Sequence, residues 1–291
     1  MHNKFKIRTN FVERICPSCH EKCRTIGSFM DTEKKWKSQS ASLSFPMRKC
    51  EACDLSFFDL APGVNDFDSG MLQYYQDDLR SRMSATPKLK PRYLMLDRLV
   101  AKMFPESVRI LSLGSGTASV KRRFEACGSK IQVSELLADV YPPEFEGGPY
   151  LFCDLNDVSS FDKDRIVGFC PDILVVDNVL EHLPNFDATS EIINLSKPRY
   201  CYVSVPNRAS WKFIGRKKEF YWPTQHVNNF NVRSIKKILG KFGYLKRRKF
   251  VSPTSYFSVR DWCISLSLSF ISPAGIYHLY ERKDRFEEQK L

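Results

Sequence analysis

From residue 108 onward the chain alternates between two hydrophobic patterns. Short runs of consecutive apolar residues end in a small or acidic residue, and stretches with apolar residues three and four positions apart follow. The first pattern describes a strand buried on both faces, the second a helix with one apolar stripe. Strands are expected at 109–113, 131–134, 150–153, 173–176 and 200–205, with helices after most of them. Such alternation builds a mostly parallel sheet with helices on both faces, an α/β architecture. The chain's end departs from it. A helix around 233–242 stops at Gly243, a C-terminal cap residue, and strand-like 244–251 and 275–283 follow without a typical crossover helix. The closing strand pair is therefore expected to be antiparallel, at the edge of the sheet.

Upstream, helical periodicity occupies MLQYYQDDL and RYLMLDRLVAKMF, preceded by the loop-like LAPGVNDFDSG. This divides the chain into a cysteine-containing module at 1–60, a helical linker at 61–105 and the α/β domain at 106–291.

Five of the ten cysteines fall within the first 53 residues. ICPSCH places Cys16 and Cys19 two residues apart, and KCEAC does the same for Cys50 and Cys53. Each CxxC folds into a tight knuckle, and two knuckles supply four thiolates for a tetrahedral zinc ion. The intervening segment suits a ribbon with an extended hairpin. Cys23 and His20 lie nearby, but the four-thiolate set needs neither. The second knuckle is acidic (KCEACDL), which favours a structural zinc over a nucleic-acid contact. Cys127, Cys153, Cys170, Cys201 and Cys263 sit among apolar neighbours and read as buried thiols.

A hydrophobic content of 43% over 291 residues is enough for a sizeable core. No apolar run approaches the roughly 20 residues needed to cross a bilayer, and the first residues carry no apolar signal segment, so a cytoplasmic protein is expected. The net charge of +12 is spread in clusters at 34–37, 121–123, 216–218 and 246–249. Dispersed charge reads as a solvated basic surface more readily than as one dedicated anion-binding patch.

The candidate chemistry begins in RILSLGSGTAS, where Gly114 and Gly116 follow the first strand. The third position of a dinucleotide GxGxxG is Ser119 here, and no Gly-Lys-Ser or Gly-Lys-Thr closes a phosphate loop. Glu135, 19 residues beyond Gly116, is placed at the end of the second expected strand, where a carboxylate can accept ribose hydroxyls. Asp154 follows the third strand, and DNVLEHLP the fourth. Ligands in such folds bind outside the carboxyl ends of the strands, so these groups converge on one crevice.

With LGSGTA, Glu135, Asp154-Leu155, NVLEHLP, VSVPN and HVNNFN in this order, the chain resembles the class I S-adenosylmethionine-dependent methyltransferases. The CPxC…CxxC module, followed by LSFFDLAP and the pair Tyr74-Tyr75, is similar to bacterial methyltransferases of sugar and glycan pathways that carry an N-terminal zinc ribbon. The resemblance implies a Rossmann-like, doubly wound seven-stranded sheet and S-adenosylmethionine as cofactor. Gly114, Ser115 and Gly116 would approach its methionine part, Glu135 would hold the ribose, Asp154 and Leu155 would frame the adenine, and Asn178 would lie near the methionine moiety. The family's acidic residue two positions before the first glycine is Ser112 here.

Methyl transfer to a hydroxyl requires alignment of the acceptor and removal of its proton, a task suited to a histidine. His2 lies in the tail, His20 in the cysteine module, and His278 in the last strand as a surface or pairing residue. His182, at the start of the helix expected after the fourth strand, and His226, in the polar loop WPTQHVNNF, remain as candidates. In sugar C-methyltransferases a glutamate precedes the residue matching His226; Gln225 stands here, which favours O-methylation. The basic stretch NRASWKFIGRKKEFY would recognise a phosphate or pyrophosphate on a nucleotide-linked sugar. The expected function is methylation of a small polar acceptor, a sugar or glycan precursor. Two other readings remain open, an RNA methyltransferase and a cofactor-binding protein without catalysis.

Overall fold

The computed structural model describes residues 15–31, 43–59, 76–77, 79–80, 91–114, 119–145, 147–207, 226–250 and 275–284. Ser115, Gly116, the boundary loop at 60–70, Tyr74-Tyr75, Cys263, the basic stretch from residue 208 to 225 and the insert at 256–271 lie outside the described residues. Among the described residues no helix is long and apolar enough to cross a membrane.

Three strands open the structure, β1 (Cys23–Asp31), β2 (Leu43–Cys50) and β3 (Ser56–Phe58). They form an antiparallel sheet in sequence order, with a register shift between Thr25 and Gly27. The helix α1 (Pro91–Met103) leads into β4 (Ser107–Leu113), α2 (Val120–Ala126) and β5 (Gln132–Asp139). Then come β6 (Tyr150–Phe152), α3 (Lys163–Phe169), β7 (Ile173–Asp177), α4 (Asp187–Ser196) and β8 (Tyr200–Pro206). A two-residue strand, β9 (Asn228–Asn229), precedes α5 (Val232–Gly240), β10 (Tyr244–Phe250) and β11 (Gly275–Arg282).

Seven of these strands form the large sheet in the order β10-β11-β8-β7-β4-β5-β6. The five from β6 to β8 are parallel, and β11 lies antiparallel between β8 and β10. This is the Rossmann-like seven-stranded sheet that the sequence implies, with the antiparallel pair at the far edge. The central strands read ILVVD and YCYVSVP and are buried almost throughout, as expected of parallel strands covered on both faces.

The helices follow their apolar stripes. In α5 the side chains of Ile235, Ile238 and Leu239 are buried, and Asn231 and Ser234 close a reciprocal capping box at its start. α1 buries Leu96, Leu99 and Val100, and its Asp97 holds the guanidinium of Arg123 on α2 through three contacts of 2.7–3.2 Å. Arg123 is almost wholly buried, so this pair fixes α2 against α1 at the start of the sheet.

The cysteine module packs against the sheet's own core. Cys16, Cys50, Cys53, Leu55 and Phe57 share one apolar cluster with Leu111, Val176, Leu180 and Phe230. β3 extends this union as a ladder, pairing Ser56 with Asn229 and Phe57 with Asn228, while the Phe58 amide donates to the Val227 carbonyl. Lys237 on α5 donates to the Ala52 carbonyl, and the Phe186 amide to that of Pro17.

One expectation about cysteine burial is corrected, and of the two places expected for His278, surface or strand pairing, the second holds. Cys153 and Cys201 are buried, but Cys127 and Cys170 are exposed because each ends a short helix, where apolar neighbours in sequence do not imply apolar surroundings. His278 is buried in β11, with Nδ1 3.1 Å from the Tyr280 hydroxyl, because β11 is an interior strand of the sheet.

Candidate active site

The carboxyl ends of β4, β5, β6, β7 and β8 define the crevice, and Gly114 stands at its centre. Gly114 has φ +55°, and its amide donates to the Ala138 carbonyl at the end of β5. A Cβ at this position would lie 2.7 Å from Cγ2 of Val179. Thus this glycine admits the chain's own loop after β7, and its backbone conformation is one that L-residues rarely adopt.

Glu135 is not at a strand end. The second parallel strand continues through Leu136, Leu137 and Ala138 to Asp139, so the expected end at residue 134 is corrected. Register sets Glu135 opposite Ile110, and its carboxylate reaches under the glycine turn. Oε1 accepts from the Ser112 hydroxyl (2.8 Å) and the Val120 amide (3.0 Å). Oε2 accepts from the Ser119 hydroxyl (2.5 Å) and the Lys121 amide (3.0 Å). The Arg122 amide goes to Ser119 Oγ. All three polar side chains are buried.

The amides of Val120, Lys121 and Arg122 at the start of the helix after β4 are therefore already used by side chains of the chain itself. In dinucleotide-binding folds this helix start attracts a phosphate. Here an anion would have to displace a buried carboxylate of the same sign. Ser112, which stands where the family's acidic residue would, donates its hydroxyl to the Glu135 carboxylate.

Asp139 occupies the strand end in place of Glu135. It is buried, its Oδ1 accepts from the Val140 amide, and its carbonyl accepts from the Cys153 amide at the end of β6. The signal for it was the unbroken apolar run Leu136-Leu137-Ala138, within the five residues by which the strand outruns its expected end at 134.

Asp154 builds the turn after β6. Its Oδ1 accepts from the backbone and side-chain amides of Asn156, and its own amide donates to Ser160 Oγ. Leu155 is buried in the central core. Asn178 follows β7 with φ +54°, donates its amide to the Ser204 carbonyl, and directs Nδ2 to Asp177 Oδ1 at 3.1 Å. Gly114, Asp139, Asp154 and Asn178 thus lie at the ends of β4, β5, β6 and β7. Asp139, Asp154 and Asp177 give that rim an acidic character, with the Glu135 carboxylate beneath it.

Beyond β7, Glu181 and His182 lie in a turn, whereas the sequence placed them at the start of a helix; α4 begins only at Asp187. Pro184 explains the delay, since a proline disfavours helical backbone in the residue before it. The turn is tied to the His226 segment by the Asn228 amide donating to the Glu181 carbonyl at 3.0 Å. Asn228 Nδ2 donates to the carbonyls of Leu180 and Leu183 at 2.9 and 2.6 Å. The two candidate histidines are brought together: the ring centroids of His182 and His226 are 4.9 Å apart at 66°.

The four module cysteines also converge. Cys16 Sγ is 3.5 Å from Cys53 Sγ, Cys19 Sγ is 3.3 Å from Cys50 Sγ, and all four sulfurs lie within 4.8 Å of one another. A zinc ion at about 2.3 Å from each sulfur sets tetrahedral edges of about 3.8 Å, which this cluster fits. Burial pushes the Cys19 thiol up to about 11, and the contact with Cys16 together with burial pushes Cys53 up as well. Cys23 stands outside the set and donates to the Glu21 carbonyl.

No protein-family model and no curated protein matches the chain. Among solved structures it is similar to the magnesium protoporphyrin IX methyltransferase of Synechocystis PCC 6803 with bound S-adenosylhomocysteine, at 15% identity over 76% of this chain and 98% of that one, TM-score 0.45. The 1,6-didemethyltoxoflavin-N1-methyltransferase of Burkholderia thailandensis is 11% identical over 81% and 93%, TM-score 0.44. The [4+2]-cyclase SpnF is 15% identical over 77% and 97%, TM-score 0.47.

The Glu135 network yields a direct test. Glu135→Gln keeps the shape but removes the charge and turns an amide N–H₂ toward buried donors. It is expected to destabilise the chain by about 3 kcal/mol, lowering the unfolding midpoint by about 6–12 °C in calorimetry. A change below about 0.5 kcal/mol would mean that the four contacts do not hold the turn.

Proposed function

We propose that this protein is an S-adenosylmethionine-dependent methyltransferase that methylates a hydroxyl of a small polar acceptor, a sugar or glycan precursor. The observation that carries the cofactor assignment is the Glu135 carboxylate on the start of α2. It removes the phosphate site that a dinucleotide requires, and with the acidic strand ends it favours a cofactor with cationic sulfonium and ammonium groups. Asp139 takes the ribose hydroxyls in place of Glu135, Asp154 and Leu155 border the adenine, and Gly114 and Asn178 line the methionine side. Ser115 and Gly116 complete that side by the sequence resemblance.

His182 and His226 face the acceptor. A neutral imidazole at this position takes the hydroxyl proton as the methyl group leaves the sulfonium, and its neighbour and Glu181 orient it. The sugar or glycan acceptor follows from the resemblance and from the basic stretch at 208–218.

The cysteine cluster holds a structural zinc ion. Because its sulfurs belong to the sheet's core, metal loss reaches the whole chain. Zinc is expected at one equivalent per chain, and a strong chelator under reducing conditions is expected to lower the unfolding midpoint of the whole protein in a single transition; a metal-free chain of equal stability would contradict this.

Labelled S-adenosylmethionine incubated with the protein and fractionated cell extract tests the activity. Label is expected in the nucleotide-sugar or glycan fraction. Label in RNA would replace the acceptor assignment, and no transfer to any fraction would overturn the enzyme reading.

A further inference from the structure

Glu181, His182 and His226 bring one carboxylate oxygen and two imidazole nitrogens within 4.8 Å of one another. We propose that these three side chains form a second metal site, specific for a divalent first-row cation and separate from the four-cysteine cluster.

The donors come from two segments that the backbone fixes together. His182 Nε2 is 3.9 Å from Glu181 Oε1 within one turn, and the amide and side chain of Asn228 bind that turn to the segment bearing His226. The Asn228 side chain is buried and satisfies two carbonyls of the turn, so both segments are held before any ligand arrives. Exposure is graded across the cluster. The Glu181 side chain is 2% exposed and that of His182 45%, which sets the carboxylate at the base and an imidazole toward solvent. A buried carboxylate flanked by two histidines is a poor arrangement for packing and a good one for a cation, because the cation compensates the charge where water does not.

The chemistry of the donor set separates the two clusters. Four thiolates surround zinc completely, whereas two imidazoles and one carboxylate occupy three positions and leave the others open for water or substrate. Nitrogen and oxygen donors of this kind suit Mn²⁺, Fe²⁺, Co²⁺ or Zn²⁺. The site follows β7, whose last residue is Asp177, and so lies beyond the carboxyl end of that strand, where the proposed cofactor also binds. With the cation bound, the two imidazoles serve as ligands in place of the general base: the cation would bind the acceptor hydroxyl oxygen and lower its pKa, and the proton would pass to solvent water. That role rests on the methyltransferase reading; the binding of the cation does not.

Mn²⁺ is the suitable probe, since it is the weakest of the series for thiolate ligands and leaves the cysteine cluster with its zinc. The full-length protein is titrated with Mn²⁺ and the free ion followed by electron paramagnetic resonance. One Mn²⁺ per chain is expected, weakened more than about tenfold by His182→Asn, by His226→Asn and by Glu181→Gln. His182→Asn alters a half-exposed side chain and keeps the test valid if the buried Glu181 variant fails to fold; circular dichroism and the unfolding midpoint report folding for each variant. Absence of Mn²⁺ binding to the wild type, or equal binding by folded His182→Asn and His226→Asn, would overturn the site. Binding of S-adenosylhomocysteine is measured alongside. Its loss with Mn²⁺ still bound would sink the methyltransferase reading and support the cation site by itself.

Discussion

A single buried carboxylate organises the crevice. Glu135 stands in the interior of β5, yet its oxygens join Ser112 on β4, Ser119 before α2 and the first two amides of α2. A carboxylate with four donors is stable in a buried place where an unpaired one is not. The glycine turn between β4 and α2 is thereby anchored at both ends. At the start of α2 the amides of Val120, Lys121 and Arg122 are taken by side chains of the chain itself, which places negative charge beside them. In folds of this kind the glycine turn is often read as the part that selects the ligand; here a buried carboxylate lies one layer beneath it.

The second organising feature is the union of the cysteine module with the sheet. The sulfur atoms, Leu55 and Phe57 enter the same core as β4, β7 and the turn after β7. From there β3 pairs with β9, two residues after His226, and Asn228 reaches back to the turn carrying Glu181 and His182. A metal that holds the two CxxC knuckles together therefore also sets the strand against which His226 is aligned. The ribbon's position, more than any contact with a ligand, connects it to the chemistry.

Much of this was legible in the sequence, for definite reasons. Parallel strands buried on both faces have a strong apolar signature, so β4, β7 and β8 were placed within two residues of their bounds, and two CxxC pairs identified the converging thiols. The short strand expectation at 131–134 failed because Ser134 and Glu135 interrupt the apolar pattern; the interruption is the polar network itself, which depends on Ser112 and Ser119 from other elements. Exchange of Glu135 for Asp139 at the strand end follows from that one error. The helix expected at His182 failed at Pro184, a local signal present in the sequence. The convergence of His182 with His226 depends on Asn228 bonding across the fold, which spacing alone does not encode.

Calorimetric titration of the full-length protein with S-adenosylhomocysteine and, separately, with NAD separates the ligand classes that the Glu135 network distinguishes. One S-adenosylhomocysteine per chain, with no heat from NAD at the same concentrations, is the predicted result. Binding of NAD at comparable affinity, or of neither ligand, would contradict it.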